Sequence, residues 1–364
     1  MEIEVNKEIF LSAIQKAERV TGKGLSLPIL SAILFETIDG GLCVTATNSE
    51  LGIQLSIPAK VTTPGKVAVP GNILSTYISS LGGDKKITIT QVGGTIKIQS
   101  QKAETAIKCM PSDDFPSIPK HENGSSLKIS PKYIIEGIKS VIFCASQSSI
   151  KPELASVYIY GEGDMTFVAT DSFRLAEKKI GLSKPIQDWS VLIPAKNANE
   201  IIRILEDIEE DVDMKVDTHQ ISFTKEGLYL TSRVVNGSFP DYRQIIPKES
   251  KVKVLALKQD IINAFRSVSI FSDKFFKLTF NFDPHEKKFS IKTSNADVGE
   301  SVTNIEASVS GEPTEINFNF KYINDALPII PSSSIELSLS PQGRLVMKGN
   351  SENSFLYIVM PMNR

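Results

Sequence analysis

Few residues in this chain have the types and spacing that chemistry requires. Thr170, Asp171 and Arg174 form a compact polar group, and a carboxylate beside a guanidinium is a pairing that acid–base sites use. The three histidines are His121, His219 and His285. They are far apart in the sequence and lack the HxH or HxxxH spacing of a metal site, so we expect structural or solvated roles for them.

The remaining chemical motifs are missing from the sequence. Cys43, Cys109 and Cys144 are odd in number and lack metal-ligand spacing, which predicts reduced thiols in a reducing cytosol. The chain contains no P-loop, no GxSxG and no Rossmann glycine pattern. We therefore predict no cofactor, no metal and no catalytic activity.

The composition is typical of an ordinary globular protein. The chain has 364 residues, 41% hydrophobic and 23% charged, with a formal net charge of −2. This length predicts two or three domains, and any nucleic-acid contact must come from local clusters of Lys and Arg. The charged N-terminus is unlike a signal peptide, and no apolar run reaches the roughly 18 residues of a membrane span. We expect a cytoplasmic protein that does not contact the membrane.

One pattern occurs three times, in segments that begin at Ile3, Leu127 and Val254. Each segment has a short strand-like run, a polar turn and an amphipathic stretch. The stretches place apolar residues at i, i+3, i+4 and i+7, which is one face of a helix. In the second segment, Ser130 and Pro131 form a favourable N-cap and first helical residue.

Further landmarks recur in the same order at intervals of about 124 residues. They include Thr47-Asn48, Thr170-Asp171 and Ser294-Asn295, and the strand-like residues 67–70, 191–194 and 316–319. The chain is therefore interpreted as three copies of one domain, at residues 1–120, 126–247 and 251–364. Each copy reads β-α-β-β-β twice, which predicts the α+β class with two helices covering antiparallel sheets.

Four stretches carry a resemblance to a known family. They are LPIL from Leu27, VATDSFRLA from Val168, FPDYRQIIP from Phe239 and YIVMPMN from Tyr357. With the threefold repeat, they make the chain resemble the bacterial DNA polymerase III beta subunits, which are sliding clamps. The resemblance implies a closed ring around duplex DNA, formed by a head-to-tail homodimer with helices lining the hole.

The family resemblance also implies partners and a function. The partners would be the DNA polymerase III alpha subunit, the clamp loader and other proteins with a clamp-binding motif. The ring would tether them to DNA without sequence specificity and confer processivity, with no catalysis of its own. The alternative is a peptide-binding scaffold that never encircles DNA.

The first helix of each copy carries one net positive charge. A weakly positive lining suits a ring that must slide, because strong phosphate pairing would anchor it. The alternative is that these are ordinary solvated helix faces. The residues expected to face DNA are Lys7, Lys16, Arg19, Lys23, Lys132, Lys139, Lys151, Lys196, Arg203, Lys258 and Arg266.

The resemblance implies a peptide-binding pocket between the second and third copies. Its expected members are Leu154, Thr170, Ser172, Phe173, Arg174, Leu175, Pro240, Gln244, Ile245, Tyr322, Val359, Met360, Pro361 and Met362. Such apolar side chains suit the Leu or Phe anchors of a peptide. The alternative for Leu175, Ile245 and Val359 is a core position. Phe173, Gln244 and Asn363 depart from the family's usual residues, which predicts a different charge preference for the peptide.

The dimer interface is expected to pair edge strands of two subunits. Ile107 in the first copy and Ile270 and Phe271 in the third resemble the family's apolar contacts. Lys97 and Lys102 would face Asp297 and Glu300 across it. The alternative for Ile270 and Phe271 is a core position at the end of a helix.

Overall fold

The computed structural model describes residues 1–22, 24, 27–83, 85–120 and 125–362. Its chain divides into two compact units, and each is described by itself. The first unit comprises residues 1–135 and 196–234, and the second comprises residues 136–195 and 235–364.

The first copy of the repeat lies in the first unit. A 3-10 helix, Pro28–Ser31, precedes its second strand. Its elements are β1 (Glu2–Asn6), α1 (Lys7–Val20), β2 (Ala32–Ile38), β3 (Gly41–Thr47), β4 (Leu51–Thr63), β5 (Lys66–Pro70), α2 (Gly71–Ser80), β6 (Lys86–Val92), β7 (Thr95–Gln99) and β8 (Glu104–Lys108).

The second copy contributes strands to both units. Two 3-10 helices, Ile142–Cys144 and Tyr242–Ile245, accompany it. Its elements are β9 (Ser125–Ile129), α3 (Pro131–Val141), β10 (Ser156–Thr170), β11 (Arg174–Ile180), β12 (Ile186–Pro194), α4 (Ala195–Leu205), β13 (Val212–Val216), β14 (Gln220–Lys225) and β15 (Leu228–Arg233).

The third copy lies in the second unit. Its elements are β16 (Val252–Leu257), α5 (Lys258–Ser269), β17 (Lys277–Asp283), β18 (Lys288–Asn295), β19 (Gly299–Ile305), β20 (Ala307–Gly311), β21 (Thr314–Asn319), α6 (Phe320–Ala326), β22 (Ser334–Leu339), β23 (Leu345–Gly349) and β24 (Phe355–Val359).

The predicted α+β class with three tandem helix-and-sheet domains is confirmed. The first unit holds a 12-stranded sheet, in which β4 of the first copy is next to β15 of the second. The second unit holds an eight-stranded sheet, in the order β12-β10-β11-β24-β23-β22-β16-β20, and a four-stranded sheet, β19-β18-β17-β21. The strands pair antiparallel, with alternating buried and exposed residues.

The helices form where the periodicity predicts them. In α1 the apolar face is buried, and Phe10 packs on Phe35 of β2 with ring centroids 5.5 Å apart. Asn6 caps this helix, because its side-chain oxygen accepts hydrogen bonds from the amides of Glu8 and Ile9 at 2.9 and 3.2 Å. Helix α3 begins at Pro131, as the sequence predicts.

Two details of the predicted strand order are wrong. The second copy has one strand, β10, where the sequence predicts two. The two predicted strands are continuous because the backbone keeps pairing with neighbouring strands on both sides of Gly163. Residues 156–163 pair with β12 and residues 165–170 pair with β11, with the reversal at Gly163, where φ is +76°. In the third copy, two strands, β19 and β20, replace the single fourth strand, and they belong to different sheets.

The landmark Thr47-Asn48 and its counterpart Thr170-Asp171 are the same turn. Thr47 Oγ1 donates to Leu51 O at 2.9 Å, and Asn48 Oδ1 accepts from the amide of Leu51 at 2.8 Å. In the second copy Thr170 Oγ1 donates to Arg174 O at 2.7 Å, and Asp171 Oδ1 accepts from the amide of Arg174 at 3.0 Å.

Both turns also contain a serine with positive φ, 74° at Ser49 and 77° at Ser172. Repetition of this geometry explains the sequence landmark as turn chemistry. It gives no support to a catalytic role for the threonine or the acid.

Each of these turns leads into a strand that joins two copies. After the first turn, β4 pairs with β15, the last strand of the second copy, from Leu51 opposite Ser232 to Leu55 opposite Leu228. After the second turn, β11 pairs with β24, the last strand of the third copy. β4 is the fourth strand of the first copy, and β11 is its equivalent in the second copy, where β10 replaces two strands. Each of them pairs with the last strand of the next copy, and we call this pairing the joint.

Gly137 of α3 lies where the other two first helices have alanine, at Ala13 and Ala264. A Cβ atom at Gly137 would overlap the ring of Phe167, which is fully buried on β10. The second copy therefore uses the space of a methyl group to accommodate an aromatic ring.

We predict that Gly137→Ala lowers the free energy of unfolding by about 1 kcal/mol. Overpacking typically costs about 1–3 kcal/mol and outweighs the helix propensity that alanine gains. Urea-induced unfolding measures the difference. Gly181→Ala is the matched control, since a Cβ atom there meets nothing within 4 Å.

The same loss should be smaller when Gly137→Ala is made in a Phe167→Leu background, because the smaller side chain leaves room for the methyl group. An equal loss in both backgrounds would contradict the overlap.

Candidate functional site

Arg174 is the centre of a polar cluster in the second unit. Its Nε donates to Asp171 Oδ2 at 3.0 Å, one terminal nitrogen donates to Asp325 Oδ2 at 2.6 Å, and the other donates to Phe143 O at 2.7 Å. The guanidinium lies over the rings of Tyr322 and Phe143, 4.7 and 5.6 Å from their centroids. Its side chain is only 12% exposed.

The electrostatics of this cluster oppose proton transfer. Burial disfavours the charged form of Arg174, but the hydrogen bond to Asp325 and the nearby negative charges outweigh burial and raise the pKa of the guanidinium. Below the cluster, burial raises the pKa of the Cys144 thiol well above its usual value. The guanidinium therefore stays charged and the thiol neutral, and three guanidinium N–H groups hold two carboxylates and a backbone carbonyl in place.

Phe173 is the most exposed aromatic residue of this site, at 60%. It stacks on Tyr322 with ring centroids 6.4 Å apart and an interplanar angle of 23°. Its carbonyl accepts a hydrogen bond from the amide of Met360 at 2.8 Å, and the amide of Met362 donates to Asn317 O at 2.8 Å. Residues 360–362 are therefore fixed near Phe173 and Asn317.

The segment from Phe239 to Ile246 packs on the eight-stranded sheet of the second unit. Tyr242 is buried and donates to Glu177 Oε2 at 2.5 Å. Burial, and then this contact with Glu177, raise the pKa of the Tyr242 hydroxyl. Ile245 packs against the cluster that contains Leu175, and its carbonyl accepts from Arg344 at 2.9 Å.

The predicted pocket residues all belong to the second unit and differ in exposure. Ser172, Phe173, Pro240 and Gln244 are exposed, and Ile245, Tyr322, Met360, Pro361 and Met362 are partly exposed. The buried members are Leu154, Thr170, Leu175 and Val359. These four have core positions, the alternative that the sequence left open for Leu175 and Val359, so a peptide would touch the others first. Asn363 lies outside the described residues.

Sequence reasoning missed the partners that orient Arg174. Asp325 lies on α6 and Phe143 follows α3, and neither belongs to a motif that points to Arg174. Their contacts span 151 and 31 residues of sequence. Only the folded structure brings these groups together.

Two of the predicted DNA-facing lysines are used inside their own copies. Lys7 begins α1, and its ammonium group donates to Leu81 O, just after α2. Lys258 begins α5 and donates to Ile330 O, after α6, at 2.7 Å. The two contacts occupy equivalent places in the repeat, so these lysines tie the first helix of a copy to the end of its second helix. The role of these two lysines in facing DNA stays a prediction.

Other predicted basic residues of the first unit have acidic neighbours. Lys16 forms an ion pair with Asp207 at 3.3 Å, and Arg19 and Arg203 approach Glu200 at 3.9 and 3.1 Å. Five further members are exposed: Lys132, Lys139, Lys151, Lys196 and Arg266. Lys23 lies outside the described residues.

The predicted interface residues differ in exposure. Ile107 on β8 is buried within the first unit, whereas Ile270 after α5 is 69% exposed and Phe271 is partly exposed. Ile270 therefore does not have the core position that was the alternative. Lys97 and Glu300 have partners in this chain, Glu104 at 3.6 Å and Lys292 at 3.4 Å.

The part of the chain that the structure describes contains no group of three or more His, Cys, Asp and Glu side chains arranged to hold a metal, and no helix long and apolar enough to span a bilayer. The amides of His219 and His285 donate to aspartates in turns, at 2.7 and 3.0 Å. His121 is outside the described residues.

Comparison with known proteins matches the chain to one family along nearly its whole length. Residues 1–119, 128–241 and 243–363 match the N-terminal, central and C-terminal domains of the DNA polymerase III beta subunit. Curated relatives include the beta sliding clamp of Synechococcus elongatus, 26% identical over 92% of both chains, and that of Bacillus subtilis, 25% identical over 100% of this chain and 99% of the relative.

Solved structures agree with this match. The DNA polymerase III beta subunit of Thermotoga maritima is 26% identical and superposes with a TM-score of 0.94 over 100% of this chain and 99% of that one. The fold is thus that of the sliding clamps, built from three tandem domains. The chain belongs to the DNA polymerase III beta subunit family.

We predict that Arg174→Lys lowers the free energy of unfolding by about 2 kcal/mol. A lysine ammonium cannot make the forked contacts of a guanidinium. Breaking a buried ion pair costs about 3–5 kcal/mol, and this figure is reduced here because the Asp325 side chain is 43% exposed.

Urea-induced unfolding measures this loss. Arg203→Lys is the matched control, since Arg203 is a half-exposed arginine with one acidic partner. Equal stability of the two variants would contradict a structural role for the Arg174 cluster.

Proposed function

We propose that two copies of this chain close head-to-tail into a ring that encloses duplex DNA and tethers the replicative polymerase to it. The observation that carries the proposal is the repeated joint. The joint occurs between β4 and β15 and between β11 and β24. The strand of the third copy that is equivalent to β4 and β11 is β19.

The strands that would close the ring are sheet edges. β19 ends the four-stranded sheet, and β8, the last strand of the first copy, ends the 12-stranded sheet. An edge strand presents unpaired amide and carbonyl groups that another strand can satisfy. In the dimer, β19 of each chain would pair with β8 of the other chain. The joint would then occur twice more, and neither of these edges would remain unpaired.

The surroundings of β19 support a contact with another protein. Ile270, Phe275, Val298 and Val302 are large apolar side chains that are more than half exposed. Val302 lies on β19, and α5, which ends just before Ile270, packs against that strand. Apolar groups near a free strand edge are typical of an interface.

The proposed DNA contact is weak and nonspecific. The exposed candidates Lys132, Lys139, Lys151, Lys196 and Arg266 would meet phosphates, and Lys16, Arg19 and Arg203 have carboxylate neighbours that reduce their attraction for phosphate. A lining with a small positive charge releases few counterions, so affinity for the backbone stays low. Retention on DNA would then come from enclosure.

The exposed surface around Phe173 is proposed to bind the clamp-binding motifs of the polymerase alpha subunit, the clamp loader and related proteins. Phe173, Tyr322, Ile245, Met360 and Met362 offer aromatic and apolar area, which suits a peptide's apolar anchors. We propose no catalytic activity and no cofactor, and domain boundaries at 1–120, 126–247 and 251–364.

The ring predicts a difference between DNA forms. After loading by a clamp loader, the protein should remain on nicked circular DNA and leave linear DNA by its ends, with little effect of salt on the retained fraction. Gel filtration of labelled protein with each DNA measures retention. Equal loss from both forms would contradict enclosure.

Variants test closure at β19. Ile270→Asp should yield monomers in sedimentation and lose retention on circles, because a carboxylate would be buried in the interface. Ile150→Asp is the matched control, since Ile150 is 89% exposed and lies outside the proposed interface. If the unmodified protein sediments only as monomers even with DNA and loader, the peptide-binding scaffold replaces the ring.

The proposed peptide surface predicts that Phe173→Ala weakens binding of an alpha-subunit peptide about tenfold, the loss of roughly 1.4 kcal/mol of aromatic contact. Deletion of residues 360–364 should abolish binding. Fluorescence anisotropy of a labelled peptide measures both effects.

Tyr133→Ala is the matched control for this test, since Tyr133 is also an exposed aromatic residue and lies on α3, outside the proposed peptide surface and the proposed interface. Peptide affinity should be unchanged in this variant. Unchanged affinity in Phe173→Ala and in the deletion would remove the assignment of the surface.

A further inference from the structure

A cavity in the second unit lies outside the proposed peptide surface. It has a volume of about 480 Å³ and lies between β10, β12 and the segment from Phe239 to Arg243. This size falls within the range of small-ligand sites. Of the residues proposed for the peptide surface, only Pro240 lines it.

Aromatic rings form much of its wall. Tyr158 and Phe239 stack with centroids 4.8 Å apart and an interplanar angle of 10°, and Tyr160 lies 5.3 Å from Tyr158. Tyr242 meets Phe239 edge-on at 6.2 Å, and Trp189 of β12 completes the lining. These rings support one another and are held in place before any ligand arrives. Aromatic faces carry partial negative charge and attract cations.

Acidic groups outnumber basic ones in the same wall. Asp188, Asp241 and Glu162 line the cavity, whereas Arg243 is the basic member among the described lining residues. Arg243 is already paired with Glu162. Asp241 accepts a hydrogen bond from the neutral amide of Gln244 at 2.7 Å. The cavity therefore keeps negative charge beside its aromatic faces and disfavours phosphates and other anions.

Arg243 demonstrates how a guanidinium is held here. Its carbon Cζ lies 5.3 Å from the centroid of Tyr160, one terminal nitrogen donates to the Tyr160 hydroxyl at 3.1 Å, and the same nitrogen contacts Glu162. A flat cation on a ring face with a carboxylate at its edge is thus a stable arrangement at this wall. Asp188 and Trp189 of β12 add a further acid and a further aromatic ring to the lining, while Arg243 is paired with Glu162.

We infer that this cavity binds the guanidinium group of an arginine side chain from a partner protein. The planar cation would lie against the aromatic faces, with Asp188 and Asp241 accepting its hydrogen bonds. A neutral apolar side chain would leave the carboxylates unpaired, and a nucleic-acid phosphate would meet like charge.

Trp189 allows direct measurement, because it is the only tryptophan in the chain. The full-length protein labelled with 5-fluorotryptophan should give one 19F resonance. Titration with N-acetyl-arginine methylamide should shift this resonance saturably. The citrulline analogue, which has the same shape and no charge, should bind about tenfold more weakly.

Asp188→Asn tests the carboxylate. It should weaken binding of the arginine compound about threefold, since Asp188 is exposed and its attraction is screened by solvent. Asp213→Asn, an exposed aspartate on β13 that does not line the cavity, is the matched control and should bind as the unmodified protein does. Urea-induced unfolding should confirm that both variants keep their stability.

Three results would overturn the inference: no shift with the arginine compound, equal shifts with the citrulline compound, or equal affinities in Asp188→Asn and the unmodified protein. Tighter binding of inorganic phosphate than of the arginine compound would also overturn it. These outcomes do not depend on ring closure or on the peptide surface, so they can be distinguished from a failure of the proposed function.

Discussion

Backbone pairing between neighbouring copies is the interaction on which the rest of this structure depends. A sheet edge exposes a row of amide and carbonyl groups that must find partners. β4 and β11 find theirs in β15 and β24, the last strands of the following copies. Because each copy satisfies the edge of the one before it, the series leaves an unsatisfied strand at each end. The proposed ring would satisfy these two strands by the same kind of pairing.

The same joint also builds the surface proposed to bind peptides. Arg174 is the first residue of β11 and pairs with Val359, so the turn that starts the joint also sets Phe173 beside Met360. In the first copy, Leu51 stands where the second copy has Arg174, and the turn before it is otherwise the same. Of the two described turns with this geometry, the one in the second copy therefore carries the charged and aromatic cluster. The cluster orients the surface by holding Tyr322 and Phe143 against one guanidinium.

Local patterns predicted most of the fold, and long-range contacts account for what was missed. Helices α1, α3 and α5 bury the faces that their periodicity indicates, because that signal is contained in a few turns of sequence. The merging of two predicted strands into β10 depends on partners on both sides of Gly163, which no local window contains. The pairing of Arg174 with Asp325 likewise joins residues 151 positions apart. The repeat itself was the strongest signal, since the joint, the turn and the helix starts all recur with it.

The charges of the predicted DNA-facing residues suit a lining that does not hold DNA by charge. A protein held on DNA by contacts needs many unneutralised cations, and its affinity then falls steeply with salt. Here Lys7 and Lys258 serve as ties between helices, and Lys16 has an acidic partner at 3.3 Å. These lysines give up part of their attraction for phosphate to contacts within the chain. If enclosure supplies the retention, such a loss has little consequence and lowers the barrier to movement along the duplex. The net charge of −2 is therefore compatible with a DNA-enclosing protein, although it would be unusual for one that binds DNA by charge alone.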